Sequence, residues 1–143
     1  MSDLFDGMRR ARILIPDATP LSLLGLIGPQ ALNWLFVTGA QVWVADMVRE
    51  EATRAPEPED DKRAQHRLVI ARWFADNAHR LHIQRTDEGD EYRKAMEAWS
   101  RVPGRPRELK PSRKGRGERS LLQALDGVEK FTAAGGSRHR PRR

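Results

Sequence analysis

The chain contains no cysteine. That excludes disulfide staples, thiolate zinc sites and cysteine nucleophiles. It also fits a reducing compartment, so a cytoplasmic location is expected. Long apolar runs are equally lacking. The N-terminal stretch MSDLFDGMRRARILIPD has acids early and no extended apolar core, so it does not read as a signal peptide. The most membrane-like segment, Leu21–Val37, is short and broken by Pro29, Gln30 and Asn33, so it reads as core packing and no membrane association is expected. No internal repeat is found. KGRG lacks the spacing of a phosphate-binding loop, and DEGDE lacks that of a calcium loop. The histidines His66, His79, His82 and His139 have too few partners for zinc, and no Ser–His–Asp arrangement stands out.

What the chain has is charge. Its 143 residues, enough for one domain with one core, include 26 Lys and Arg against 20 Asp and Glu, a net charge of +6. Such a basic chain attracts polyanions, nucleic acid first among them. The charge is concentrated in SRVPGRPRELKPSRKGRGER, residues 100–119, with eight basic residues, two acids and three prolines. It has no apolar periodicity and is read as a mobile basic loop over 101–116, suited either to tracking phosphates or to serving as a solvated linker.

Hydrophobic patterning around the loop predicts alternating strands and helices. RILIP predicts a strand over 12–16, followed by a helix over 20–27 with Thr19 as cap and Pro20 as its first residue. Leu21 and Leu24 face inward in this reading. A second short helix follows at 29–36, then a buried strand, QVWVAD, whose Asp46 can cap the helix MVREEATR. A long helix is expected over 60–79, with Ala64, Leu68, Ala71, Ala75 and Ala78 in its stripe beside Ile70 and Phe74. LHIQ predicts a third strand. Asp87 and Asp90 have a cap-like spacing before a helix that places Tyr92, Met96 and Trp99 on one face. A last helix over 117–131 carries Leu121, Leu122, Leu125 and Val128. The four tryptophans, Trp34, Trp43, Trp73 and Trp99, lie on apolar stripes and read as core. The alternation implies an α/β fold, three layers α/β/α around a short, mainly parallel sheet. Residues 1–131 then form a single domain, and the Arg-rich tail 132–143 is expected to be disordered.

Three acids occupy element ends with a partly inward aspect. Asp17 follows the first strand. Glu51 shares the helix face of Met47 and Val48, and Glu118 shares that of Leu122 and Leu125. Each has an ordinary reading alone: Asp17 as a helix cap, Glu51 as a solvated residue, Glu118 as an anion at a helix N-terminus. Together, if the three ends converge, their repulsion calls for a divalent cation. Hard oxygen ligands suit Mg²⁺ or Mn²⁺.

The segments ILIPDATPLSLL, VWVADMVREEATR and GRGERSLLQAL, in this order, resemble the PIN-domain ribonucleases, particularly the toxin halves of bacterial toxin–antitoxin pairs. In that family a strand ends in an aspartate closely followed by Ser, Thr or Asn, matched here by Asp17 and Thr19. A helix then carries V-x-x-E, matched by Val48 and Glu51. One branch continues with G-x-G-E, matched by Gly115, Gly117 and Glu118. The resemblance spans roughly residues 12–131 and implies a Mg²⁺- or Mn²⁺-dependent endoribonuclease. Asp17, Glu51 and Glu118 would be the catalytic metal ligands, and Thr19, Arg113, Lys114 and Arg116 would contact the RNA. It further implies an antitoxin partner and a homodimer. The chain departs from the pattern where a further strand and aspartate are expected: AAGGSRHRPRR has no β-forming run and no acid. That departure keeps a second reading open, a degenerate, non-catalytic PIN-like module that binds RNA or protein.

Overall fold

The computed structural model describes residues 13–54 and 65–138, with side chains through residue 130. Within it lies a three-stranded parallel sheet: β1 (Ile13–Leu14), β2 (Gln41–Ala45) and β3 (Leu81–Gln84), in the order β1-β2-β3. Ile13 pairs with Gln41, and Val42, Trp43, Val44 and Ala45 pair with Leu81, His82, Ile83 and Gln84. The central strand buries Val42, Trp43, Val44 and Ala45 in succession. A parallel strand covered on both faces has no reason to alternate, which is why QVWVA lacks the period-two pattern of a half-exposed strand.

The helices follow the expected order: α1 (Ala18–Ile27), α2 (Pro29–Leu32) continued by a 3-10 turn at Asn33–Phe36, α3 (Asp46–Thr53), α4 (His66–Asp76), α5 (Asp87–Ser100) and α6 (Arg116–Arg138). The chain is thus mixed α/β and mostly helical around a small parallel sheet. Among the described residues, no helix is long and apolar enough to cross a membrane.

Local chemistry decides between the two caps expected for α1 and moves the cap of α5. Asp17, not Thr19, caps α1, its Oδ1 accepting from Ala18 N at 2.7 Å. Pro20 is tolerated as the third helical residue because the first N–H groups of a helix have no intrahelical partner. Thr86, not Asp87, caps α5 by accepting from Gly89 N at 3.1 Å. Asp87, Glu88 and Asp90 then occupy the first turn, where the helix dipole favours anions.

The core also departs from the expected stripes. Leu21, Leu32, Val44, Val48, Ile70, Trp73 and Phe74 form its centre, and Leu24, Leu35 and Phe36 pack against it. On α4 the buried face is Ile70, Trp73 and Phe74, while Leu68 is exposed. Large aromatic surfaces gain more from burial than alanines do, so they set the rotation of the helix. Phe36 stacks on Trp73 with centroids 5.5 Å apart, and Trp73 Nε1 donates to Asn33 Oδ1 at 2.9 Å. Gly25 lets α1 approach α4 closely: a β-carbon there would come within 2.6 Å of Ile70 Cγ1. Trp43 and Trp73 are core residues as expected, but Trp34 is exposed.

The last helix shows the largest reversal. Its covered face carries Gly117, Ser120 and Ala124, and Leu122 and Leu125 face solvent. Small side chains allow close approach to α3 and β2, which larger leucines would hold apart. The helix continues past Phe131 to Arg138. The start of the long helix expected over 60–79 lies outside the described residues, and its visible part ends at Asp76 before a 3-10 turn at Ala78–Arg80.

Candidate functional site

Asp17, Glu51 and Glu118 come from three remote segments, and all three line one open cavity of about 410 Å³. Each arrives by a different local device. The capping bond from Ala18 N fixes Asp17 at the head of α1 and occupies only Oδ1. Glu51 projects from α3, directly opposite the start of α6. Gly117 makes that approach possible, since a β-carbon on it would lie 2.3 Å from Glu51 Oε2 and 3.9 Å from Met47 O. Glu118 stands in the first turn of α6, beside Gly117. Thr19 lies on the rim, and Leu121 and Leu122 supply an apolar wall.

The inward aspect expected of the three acids is not observed. All three are exposed, and Glu118 shares the solvent face of Leu122 and Leu125. For Glu118 the shared face was right and the covered side mistaken, whereas Glu51 is exposed although Met47 and Val48 on its helix are buried. Side chains on an open cavity stay hydrated, so they need no buried counter-charge.

Among the described residues the buried acids are two others. Asp46, at 4% exposure, opens α3 and accepts from Met47 N at 2.9 Å, Thr86 N at 3.1 Å, Thr86 Oγ1 at 2.7 Å and Arg93 Nη1 at 3.1 Å. It is not the expected cap, since Ala45 takes that position and Asp46 is the first residue of the helix; its work is to tie α3 to the head of α5. Glu88 is the second, missed by sequence reasoning. Its Oε1 accepts from Arg119 Nη2 at 2.8 Å, Arg119 Nε at 3.0 Å and Arg116 Nη1 at 3.1 Å. The hydrogen bond from Arg119 and the positive charges of Arg119 and Arg116 outweigh burial and hold the Glu88 carboxyl below its ordinary range. The only sequence signal was position: a first-turn glutamate with arginines far along the chain.

This network changes the picture of Arg116. Expected to meet RNA, it is instead largely buried, paired to Glu88, and lies over the Tyr92 ring at 5.4 Å. It anchors α6 against α5. Arg113 and Lys114 do stand in a groove, of about 520 Å³, which meets the acid cavity at Glu51 and Gly115. Arg113 Nη2 lies 3.3 Å from Glu50 Oε1. The surrounding loop is pinned rather than loose at two points: Trp99 Nε1 donates to Pro106 O at 2.8 Å, and Arg116 Nε donates to Ser112 O at 2.8 Å.

The polar side chains of the cavity are three carboxylates and the Thr19 hydroxyl, all oxygen donors of the kind a hard divalent cation takes. The glycine at 117 keeps the space before Glu51 open. As the side chains stand, no three Asp, Glu, His or Cys groups among the described residues converge closely enough to hold one ion. Binding would therefore require rotation of the exposed Glu51 and Glu118 side chains. Against known proteins the chain stands apart: no family model, no curated protein and no solved structure matches it.

Proposed function

We propose that the chain is a divalent-metal-dependent hydrolase of RNA phosphodiester bonds, built on a three-layer, PIN-like α/β/α plan. One observation carries the reading: carboxylates from α1, α3 and α6 line a single open cavity. The toxin half of a toxin–antitoxin pair is the cellular setting that the resemblance suggests.

Asp17, Glu51 and Glu118 would hold Mg²⁺ or Mn²⁺. The ion supplies Lewis-acid polarisation of the phosphate and a more acidic water. Asp17 is pre-aimed by its capping bond, which leaves Oδ2 to face a ligand. Thr19 places a hydroxyl at the rim, within the same cavity, where it can donate to a phosphate oxygen.

The test is direct. Purified protein with Mn²⁺ should fragment RNA, and Asp17→Asn should abolish fragmentation while leaving the circular dichroism unchanged. Undiminished cleavage by Asp17→Asn rejects the site. A second reading, the degenerate binding module, is favoured by the separation of the three acids as they stand. It predicts salt-sensitive RNA affinity that Mg²⁺ does not alter, and no product.

A further inference from the structure

The groove beside the acid cavity has a strongly basic lining. Arg54, Arg107, Lys110, Arg113 and Lys114 bring positive charge from two separate segments, the end of α3 and the irregular stretch before α6. Glu51, where the groove meets the acid cavity, is its sole acid. The remaining lining is proline, serine and glycine, with no aromatic ring and no Asn or Gln side chain. Arg113 adds a second observation: its Nε is buried and has no hydrogen-bond partner among the described residues. Glu50 engages only the far end of that guanidinium, at 3.3 Å.

We propose that this groove binds the sugar–phosphate backbone of a single-stranded nucleic acid without reading its bases. Guanidinium forks match phosphate oxygens in pairs, whereas base recognition requires stacking rings or amide edges that the groove lacks. A phosphate entering beside Arg113 competes with Glu50 for the outer end of the guanidinium. Because groove and cavity share Glu51 and Gly115, the strand reaches the acids from this flank. The inference deepens the hydrolase reading, and the delivery of a scissile bond to the acids rests on that reading.

The experiment is fluorescence anisotropy of the full chain with a labelled oligouridylate in EDTA, across a salt series. Binding should weaken with salt with a log–log slope of about −2, the value for roughly three single-strand phosphate contacts. Lys114→Ala should weaken binding roughly fivefold and make the slope shallower by about 0.7. Arg113→Ala should act in the same direction, with circular dichroism confirming the fold. Oligouridylate and mixed-sequence oligomers should bind alike. The proposal is overturned if Lys94→Ala, outside the groove, weakens binding as much as Lys114→Ala. It is equally overturned if a duplex binds more tightly than its single strand, or if polyglutamate competes as well as polyuridylate. The assay contains no divalent metal, so a chain that binds but never cleaves defeats the hydrolase reading alone. A chain that cleaves but ignores Lys114→Ala and Arg113→Ala defeats only the groove.

Discussion

Gly117 faces Glu51 with no room for a side chain between them: a β-carbon at 117 would lie 2.3 Å from Glu51 Oε2. The obstructing atom is the tip of an exposed, rotatable side chain, which can swing aside at little cost. Gly117→Ala should therefore keep the fold, and alanine's better helix propensity adds up to ~1 kcal/mol of stability. The added methyl, however, narrows the rotations through which Glu51 must pass to meet a metal. Metal-dependent RNA cleavage should fall more than about tenfold while the denaturation midpoint holds or rises. Measuring both on one preparation separates damage to the cavity from damage to the fold.

A similar crowding at Gly89 should have the opposite outcome. A β-carbon there would come within 1.9 Å of Asp46 Oδ2, a carboxylate held by Thr86 and Arg93 and almost wholly buried. Asp46 has nowhere to go without abandoning those bonds. Gly89→Ala should cost about 3 kcal/mol, read from urea denaturation, because it leaves a buried charge poorly satisfied. A loss smaller than about 1 kcal/mol would show that the Asp46 contacts contribute little to stability.

Acid should loosen the junction of α5 and α6. The hydrogen bond and charge of Arg119, with help from Arg116, depress the Glu88 carboxyl in the folded chain. Above the ordinary value of 4.5 its stabilising contribution is fully present. As pH falls from there through the depressed folded value, the unfolded chain takes up the proton first and the contribution is lost. Glu88→Gln should lower stability near about pH 7 and narrow its gap from the parent chain near about pH 3, by urea denaturation at each pH.

Tyr92 offers a gain. Its ring is buried, and its hydroxyl has no hydrogen-bond partner among the described residues. Tyr92→Phe removes the unsatisfied group and keeps the ring beneath Arg116, so stability should rise by about 1 kcal/mol. A fall of that size in thermal denaturation would mean that the hydroxyl is satisfied in solution.

Much of this was legible in the chain, and the failures share a physical cause. The order of strands and helices follows from runs such as VWVA and from turn residues. That Asp17, Glu51 and Glu118 line one cavity was expected only on the condition that their three ends converge, and as they stand their side chains do not meet around one point. Periodicity shows which residues share a helix face, and it does not show which face a neighbour covers. On α6 Leu121 packs against the core as expected, but Leu122 and Leu125 do not, and Gly117, Ser120 and Ala124 permit the closer approach and are covered. The Asp46–Thr86–Arg93 and Glu88–Arg116–Arg119 clusters join residues distant in sequence. No local pattern announces such pairings, because they exist only after the helices have docked.

Asp46 and Glu51 ride on the same short helix, one locked to the head of α5 and the other open to the cavity. The rigidity of the lock therefore sets the aim of the acid. A chain that loosens its grip on Asp46 would blur the position of Glu51 well before it unfolded, so catalytic competence should decay on heating ahead of the loss of helical signal.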